Sequence, residues 1–270
     1  MNGSHGDGVG AGVVLWGENG YPAGGGYTAL GSSHGGVNVY VTVQPATAPV
    51  GGGGAGMGGG IFVQGGGTLN VGGSLSFAGN SVTGGSGGNA GSAFGAGLFL
   101  QGASGTITFA PGAGQTATIA DAIADQSGSG GTGGDAGTYE LVLDGAGKLL
   151  LSGINTYTGA TTIVEGTLQV DGSIANSAVT VQDGGTLGGN GSTGAVTVEY
   201  GATLAPGAGA SAGLLNTGAL SLEAGATFAV ELGGANAGVG GYDQIHVTGT
   251  VTLNGATLST SLIGSFAPTS

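Results

Sequence analysis

The sequence predicts an all-β solenoid whose coils differ in length. The first observation behind that expectation is a recurring phrase: two apolar or β-branched residues flanking a small polar one, a two-residue turn, then Gly-x-Thr-Leu. It reads Val179-Thr-Val-Gln-Asp-Gly-Gly-Thr-Leu187, Val196-Thr-Val-Glu-Tyr-Gly-Ala-Thr-Leu204 and Leu220-Ser-Leu-Glu-Ala-Gly-Ala-Thr-Phe228. A shorter copy runs from Val251 to Leu258, an early copy from Ile61 to Leu69, and a copy with one inserted residue from Leu98 to Ile107. Unequal steps between the starting points 179, 196 and 220, around a nearly fixed phrase, describe constant strands joined by variable loops.

The second observation is composition. The chain has 270 residues, of which 70 are glycine, one is tryptophan and 6% are charged. So much glycine raises the entropy lost on folding beyond what a compact core poor in aromatics offsets. A solenoid instead buries a small apolar stripe per coil and repeats its backbone ladders along one axis. Period-2 alternation sustained through the last half argues against a disordered chain.

Taken in order, residues 1–50 form an irregular segment in which Val37-Asn-Val-Tyr-Val-Thr-Val43 predicts a strand over 37–43, stopped by Pro45 and Pro49. Residues 51–137 read as Gly-rich coils carrying loops, among them Gly84-Gly-Ser-Gly-Gly88 and Gly128-Ser-Gly-Gly-Thr-Gly-Gly134. Strand phrases continue on both sides of these tracts, so they are loops rather than interdomain linkers. Residues 138–270 read as regular coils. Thr118 to Gln126 is the best short helical candidate and reads equally as strand plus turn. Within a phrase Val179, Val181 and Leu187 point inward and Thr180 and Thr186 outward. Asp183-Gly184 and Glu165-Gly166 sit where a sharp corner needs glycine at positive φ. Equivalent positions coincide in a solenoid, so Val179, Val181, Val196, Val198, Leu220, Leu222, Val251 and Leu253 are expected in one stacked interior.

Charge excludes several functions. One lysine against fourteen Asp and Glu leaves a net charge of −13. Nucleic acid, an anionic membrane surface and polyanionic sugars all need cations that this chain lacks. The acidity reads as solubility, keeping stacked strands apart. With no cysteine there is no thiol nucleophile and no Cys-based zinc site. No apolar run approaches the roughly 18 residues of a spanning helix. Met1-Asn-Gly-Ser-His-Gly-Asp7 has neither a basic nor an apolar signal region, so the expectation is either a cytoplasmic chain or a piece of a longer precursor, the abrupt Pro268-Thr-Ser270 end favouring the piece.

Short motifs assemble no active site. Gly84-Gly-Ser-Gly-Gly88 matches the Gly-x-Ser-x-Gly elbow but has no strand-to-helix context, and such matches are easy in a Gly/Ser tract. Lys148 follows Gly147 but precedes Leu149, so no phosphate-binding loop is present. Gly130-Gly-Thr-Gly-Gly-Asp135 fits half a calcium-binding nonapeptide. Calcium takes roughly 6–8 oxygens, so Asp135 reads as a turn residue and calcium there stays open. Asp121 and Asp125 are the closest carboxylate pair for glycoside hydrolysis, without aromatics to hold a sugar. His5, His34 and His246 lack ligand spacing, and His246 alternates with Ile245 and Val247 as an outward strand residue. No residue is assigned a catalytic, cofactor-binding or metal role, and no cofactor is expected.

The stretch Gly145-Ala-Gly-Lys-Leu-Leu-Leu-Ser-Gly-Ile-Asn-Thr-Tyr-Thr-Gly-Ala-Thr-Thr-Ile-Val-Glu-Gly-Thr-Leu-Gln-Val170 resembles the autotransporter-associated β-strand repeat. Leu149 to Val170 keeps that family's Leu-x-Leu-x-Gly-x-Asn-Thr-Tyr-x-Gly-x-Thr core and its Gly-x-Leu-x-Val tail. Gly58-Gly-Gly-Ile-Phe-Val63 and Phe77-Ala-Gly-Asn80 also resemble the Gly-Gly-x-Ile and Phe-x-x-Asn motifs of polymorphic outer-membrane protein repeats. The first resemblance implies a right-handed parallel β-helix serving as an autotransporter passenger, exported by type V secretion and displayed on a Gram-negative cell surface or released.

The expectation is therefore a structural or adhesive passenger segment, not an enzyme, facing an unknown surface or host ligand and able to self-associate through strand edges. The alternatives are a β-helix polysaccharide-degrading enzyme, disfavoured by the lack of basic groups, and a Gly-rich cell-envelope repeat protein, to which the Asn-Thr-Tyr-x-Gly phrase is foreign.

Overall fold

A computed structural model describes residues 13–15, 55–64, 67–85, 91–134, 136–209 and 211–267. The expected strand at 37–43, His5, His34 and Asp135 lie outside them, as does part of the Gly84–Gly88 tract. Among the described residues the chain is all-β, with no helix, and no helix long and apolar enough to cross a membrane. Every pair of strands is parallel, and the strands follow one another around a curled path of three faces, an arrangement compatible with a β-solenoid.

The second and third faces belong to one 14-stranded sheet. On the second face Leu69, Ile107, Leu141, Thr161, Val179, Val196, Leu220 and Val251 stand in one continuous register. On the third, Leu75, Ala117, Leu149, Leu168, Leu187, Leu204, Phe228 and Leu258 do the same. Strands Ala136–Leu151 and Thr161–Val170 run on from one face to the next, and their ladder breaks register around Asp144, where the chain turns the corner. In later coils a positive-φ glycine makes that corner, at Gly166, Gly184, Gly201, Gly225 and Gly255. Asp183-Gly184 and Glu165-Gly166 thus do what their sequence context demanded.

Alternation decides what is inside. Val179, Val181 and Leu187 are buried while Thr180 and Thr186 are partly exposed. Each fully buried aliphatic side chain contributes about 1.5–3 kcal/mol, and in-register stacking lets every coil repeat that gain. Val251 and Leu253 differ from expectation. They stack in register on Leu220 and Leu222, but are 50% and 65% exposed, because no described strand lies beyond them.

The first face carries Val13–Leu15, Ile61–Val63, Leu98–Leu100 and Ile123–Asp125, then resumes with Ser173–Ile174, Ser192–Thr193, Leu214–Thr217 and Gln244–Val247. This placement corrects one equivalence. The early phrase copies beginning at Ile61 and Leu98 span first to second face, whereas those beginning at Val179, Val196 and Leu220 span second to third. The phrase specifies a strand–corner–strand unit, and intervening loop length decides which corner it occupies. Thr118–Gln126 forms no helix: Thr116–Ile119 and Ile123–Asp125 are strands on different faces, joined by a turn.

Candidate functional site

Between Ile123–Asp125 and Ser173–Ile174 the first face has no strand, and the segment Gly153–Thr161 fills the gap. Asn155, 3% exposed, does the joining. Its Oδ1 accepts the Ile123 N–H of the preceding coil at 2.8 Å. Its Nδ2 donates to Gly153 O and to Ser173 O of the following coil, both at 3.0 Å. Backbone bonds from Thr156 N–H to Ile123 O and from Asn155 N–H to Ser173 O cross the same boundaries, and this one side chain reinforces both, satisfying the Ile123 N–H. Only an amide supplies an acceptor and two donors at this reach.

Tyr157 turns the chain inward two residues later. Its OH is 2.8 Å from Thr161 Oγ1, which is 2.7 Å from Ser177 Oγ, which donates to Gly159 O at 2.7 Å. All three side chains are buried. The terminal carbonyl sets the direction of the whole chain: Ser177 donates to it, Thr161 donates to Ser177, and Tyr157 donates to Thr161. The phenol therefore keeps its proton. Burial pushes it up to about 12, the Asp125 carboxylate adds to the rise, and its hydroxyl partners pull the other way. Gly159 completes the turn, since a Cβ there would collide with the Tyr139 carbonyl.

Asp125 is fully buried. Its Oδ1 accepts Gly128 N–H at 2.6 Å, and its Oδ2 accepts Thr158 N–H at 2.7 Å and Thr158 Oγ1 at 2.9 Å. A carboxylate held by backbone dipoles organises the glycine tract on one side and the Tyr157 turn on the other. Asp121 works similarly, accepting Gly79 N–H and Asn80 N–H at 3.0 Å and Asn80 Nδ2 at 2.6 Å. Both carboxylates are engaged in joining coils, Asp121 ahead of the strand Ile123–Asp125 and Asp125 at its end. They do not form a facing acid–base pair. The Gly58–Val63 and Phe77–Asn80 stretches meet here too, for Gly60 lies against the Asn80 side chain. Along this same corner Asp171 Oδ1 accepts Asn190 N–H at 3.1 Å, Asn190 Oδ1 accepts Leu214 N–H at 3.2 Å, and Asp243 Oδ1 accepts Gly213 N–H at 2.6 Å.

His246 is exposed and outward, as its alternation required. Lys148 extends along the third face to donate to Gln169 Oε1 at 3.1 Å, and Gln169 Nε2 donates to Asp171 Oδ2 at 2.7 Å. Among the described residues no group of three or more His, Cys, Asp or Glu side chains is placed to hold a metal.

The segment at the centre of this polar lock is also the one a family model matches. Residues 141–170 match the Passenger-associated-transport-repeat. The chain is also 44% identical over 75 residues to the Adhesin BmaC autotransporter of Brucella suis biovar 1 (strain 1330), covering 27% of this chain and 2% of that protein. It is 44% identical over 69 residues to an extracellular serine protease of Serratia marcescens, covering 26% of this chain and 6% of the relative. The chain thus spans only a small part of the length of these curated relatives. The repeat's pattern explains itself residue by residue: Gly153 and Gly159 pack against the preceding coil's backbone, Asn155 bridges, and Tyr157 and Thr161 form the buried hydroxyl chain. Sequence reading found these positions through resemblance. It missed Ser177 and the joining role of Asp125, whose partners lie 16 and 33 residues away.

Proposed function

We propose that the chain is a structural, non-catalytic segment of an autotransporter passenger, a right-handed parallel β-helix exported by type V secretion and displayed at the cell surface. The observation that carries this reading is the match over residues 141–170, coinciding with side chains that tie three successive coils together. A repeat whose distinctive residues are inward or engaged with backbone preserves a fold rather than a binding surface. Right-handedness follows the general preference of parallel β crossovers. The engagement of Asp121 and Asp125 with backbone groups supports the non-catalytic part over the polysaccharide-degrading alternative. Adhesion belongs to this proposal only as a role of outward loops, in line with the adhesin name of one relative.

The test is to place residues 1–270 between a signal peptide and a translocator barrel in a Gram-negative host. Surface display is expected, read by antibody binding to intact cells and by removal with external protease. A folded chain that stays inside the envelope would overturn the proposal, as would release of reducing ends from neutral polysaccharides by the purified protein.

A further inference from the structure

After Thr227–Leu232 on the third face the chain leaves the stack, and it returns as Gln244–Val247 on the first. Residues 233–243 form the loop between them, closed at its base by backbone. Leu232 pairs with Tyr242, Gly233 N–H donates to Gly241 O at 2.6 Å, and Asp243 N–H donates to Glu231 O at 3.0 Å. Two carboxylates flank that base. Asp243, 6% exposed, seats it on the preceding coil: its Oδ1 accepts Gly213 N–H at 2.6 Å and its Oδ2 accepts Glu231 N–H at 2.7 Å. Glu231 Oε2 is enclosed, and no described group donates to it. An oxygen stripped of water without gaining a donor is costly when charged and far less so when protonated. Burial accordingly raises both carboxyls above their ordinary values. The Asp243 charge adds to the rise at Glu231, and the two backbone donors oppose it at Asp243.

We propose that this pair makes residues 233–243 a pH-gated loop, seated on the stack in acid and loosened when both carboxylates are charged. Nothing packed against the base neutralises the pair. The 207–213 corner and the strands Thr203–Pro206, Leu214–Thr217 and Thr257–Leu262 carry no ionisable side chain, and Ser261 is the residue opposite Glu231 in the next coil. The loop itself adds only Tyr242, and Gln244–Val247 adds His246, whose side chain is exposed. The one lysine, Lys148, belongs to Ala136–Leu151, whose ladders reach Thr161–Val170 but not this coil. The seated loop therefore holds protons more tightly than the released one, whose carboxyls return to water. Seating is fullest at a pH below the released values and is lost as pH rises through the raised range. Release meets little resistance from the tip: residues 234–241 carry no charge, and Val239 is 81% exposed.

Amide exchange of the whole chain at about pH 4 and about pH 7.5, each rate divided by its intrinsic value at that pH, tests this. Protection of Gly233, Gly241 and Tyr242 should fall about tenfold or more between the two, the factor that one unit of raised pKa sets. Val181 and Val198, in the buried second-face ladder, should hold theirs. Glu231→Gln keeps the side chain's size and removes one charge, so the fall should shrink to about threefold or less. Asp243→Asn leaves one oxygen for two N–H groups, and the same loop amides should then exchange fast at both pH values with Val181 and Val198 unchanged. Loop protection that is equal at both pH values, or that grows with pH, would overturn the proposal. So would a Glu231→Gln loop with the parent's full response, or an Asp243→Asn loop still protected in acid.

Discussion

Replacing Asn155 by alanine and by aspartate separates its hydrogen bonds from its size. Alanine leaves Ile123 N–H buried without a partner, and deletes the two bonds from Nδ2 to Gly153 O and Ser173 O. Those two carbonyls keep other donors, Ser173 N–H and Asn155 N–H, so only the orphaned N–H carries a full desolvation penalty. At about 1–3 kcal/mol for that group and about 1 kcal/mol for each lost bond, the cost is about 3–5 kcal/mol. That corresponds to a fall of roughly 10 °C in the unfolding midpoint. Aspartate keeps the acceptor for Ile123 N–H but aims a second carboxylate oxygen at two carbonyls. Burial and those carbonyls raise its folded-state pKa above the unfolded value. The folded protein then binds the extra proton through the carboxylate range, so stability relative to the parent is greatest at low pH and lost as pH rises. Asn155→Asp should therefore be worse than Asn155→Ala at about pH 8 and recover toward or past it at about pH 4. Thermal unfolding of the three proteins across pH, with amide exchange at Ile123 as the local readout, measures this. Parallel pH curves for the two variants, or an Ile123 amide equally protected in all three, would refute the bridging role.

Other outcomes follow from the same interior. Ser177→Ala removes the acceptor of the Thr161 proton and the donor to Gly159 O, and should cost about 1–3 kcal/mol in denaturant unfolding. Tyr157→Phe removes only the first link of that chain and should cost about 0.5–1.5 kcal/mol. Lys148 is the single trypsin site and lies in ladders on both sides, opposite Thr116 and Thr167. Native protein should resist trypsin for hours while the heat-unfolded chain is cut once, and rapid native cleavage would show that this coil opens readily. Glu231 and Asp243 both have carboxyls raised by burial, Glu231 further by the charge of Asp243. Raised acids bind more protons folded than unfolded, so their contribution falls as pH rises through the carboxylate range. Glu231→Gln should flatten the pH dependence of the midpoint there, and an unchanged slope would count against the coupling.

Strand content, inward and outward positions, and the corner glycines were all legible in the sequence. Each is decided within a few residues: period-2 alternation sorts Val179 and Val181 from Thr180, and φ near +80° at Gly166 and Gly184 suits only glycine. The resemblance likewise marked Asn155, Tyr157 and Thr161 before their contacts were seen. Which face a phrase occupies was a matter for the tertiary structure. The copies at Ile61 and Val179 are alike locally, yet stack on different faces because that depends on the loop lengths between them. Only the stacked coils could show that Asp125, which reads as one half of a carboxylate pair with Asp121, receives the backbone of Thr158 from 33 residues away. Only they could show that Val251 and Leu253, with the same local pattern as Leu220 and Leu222 and stacked on them, stay exposed in the last described coil. Burial belongs to a residue's neighbours in space, and in a solenoid those neighbours are a full coil distant in sequence.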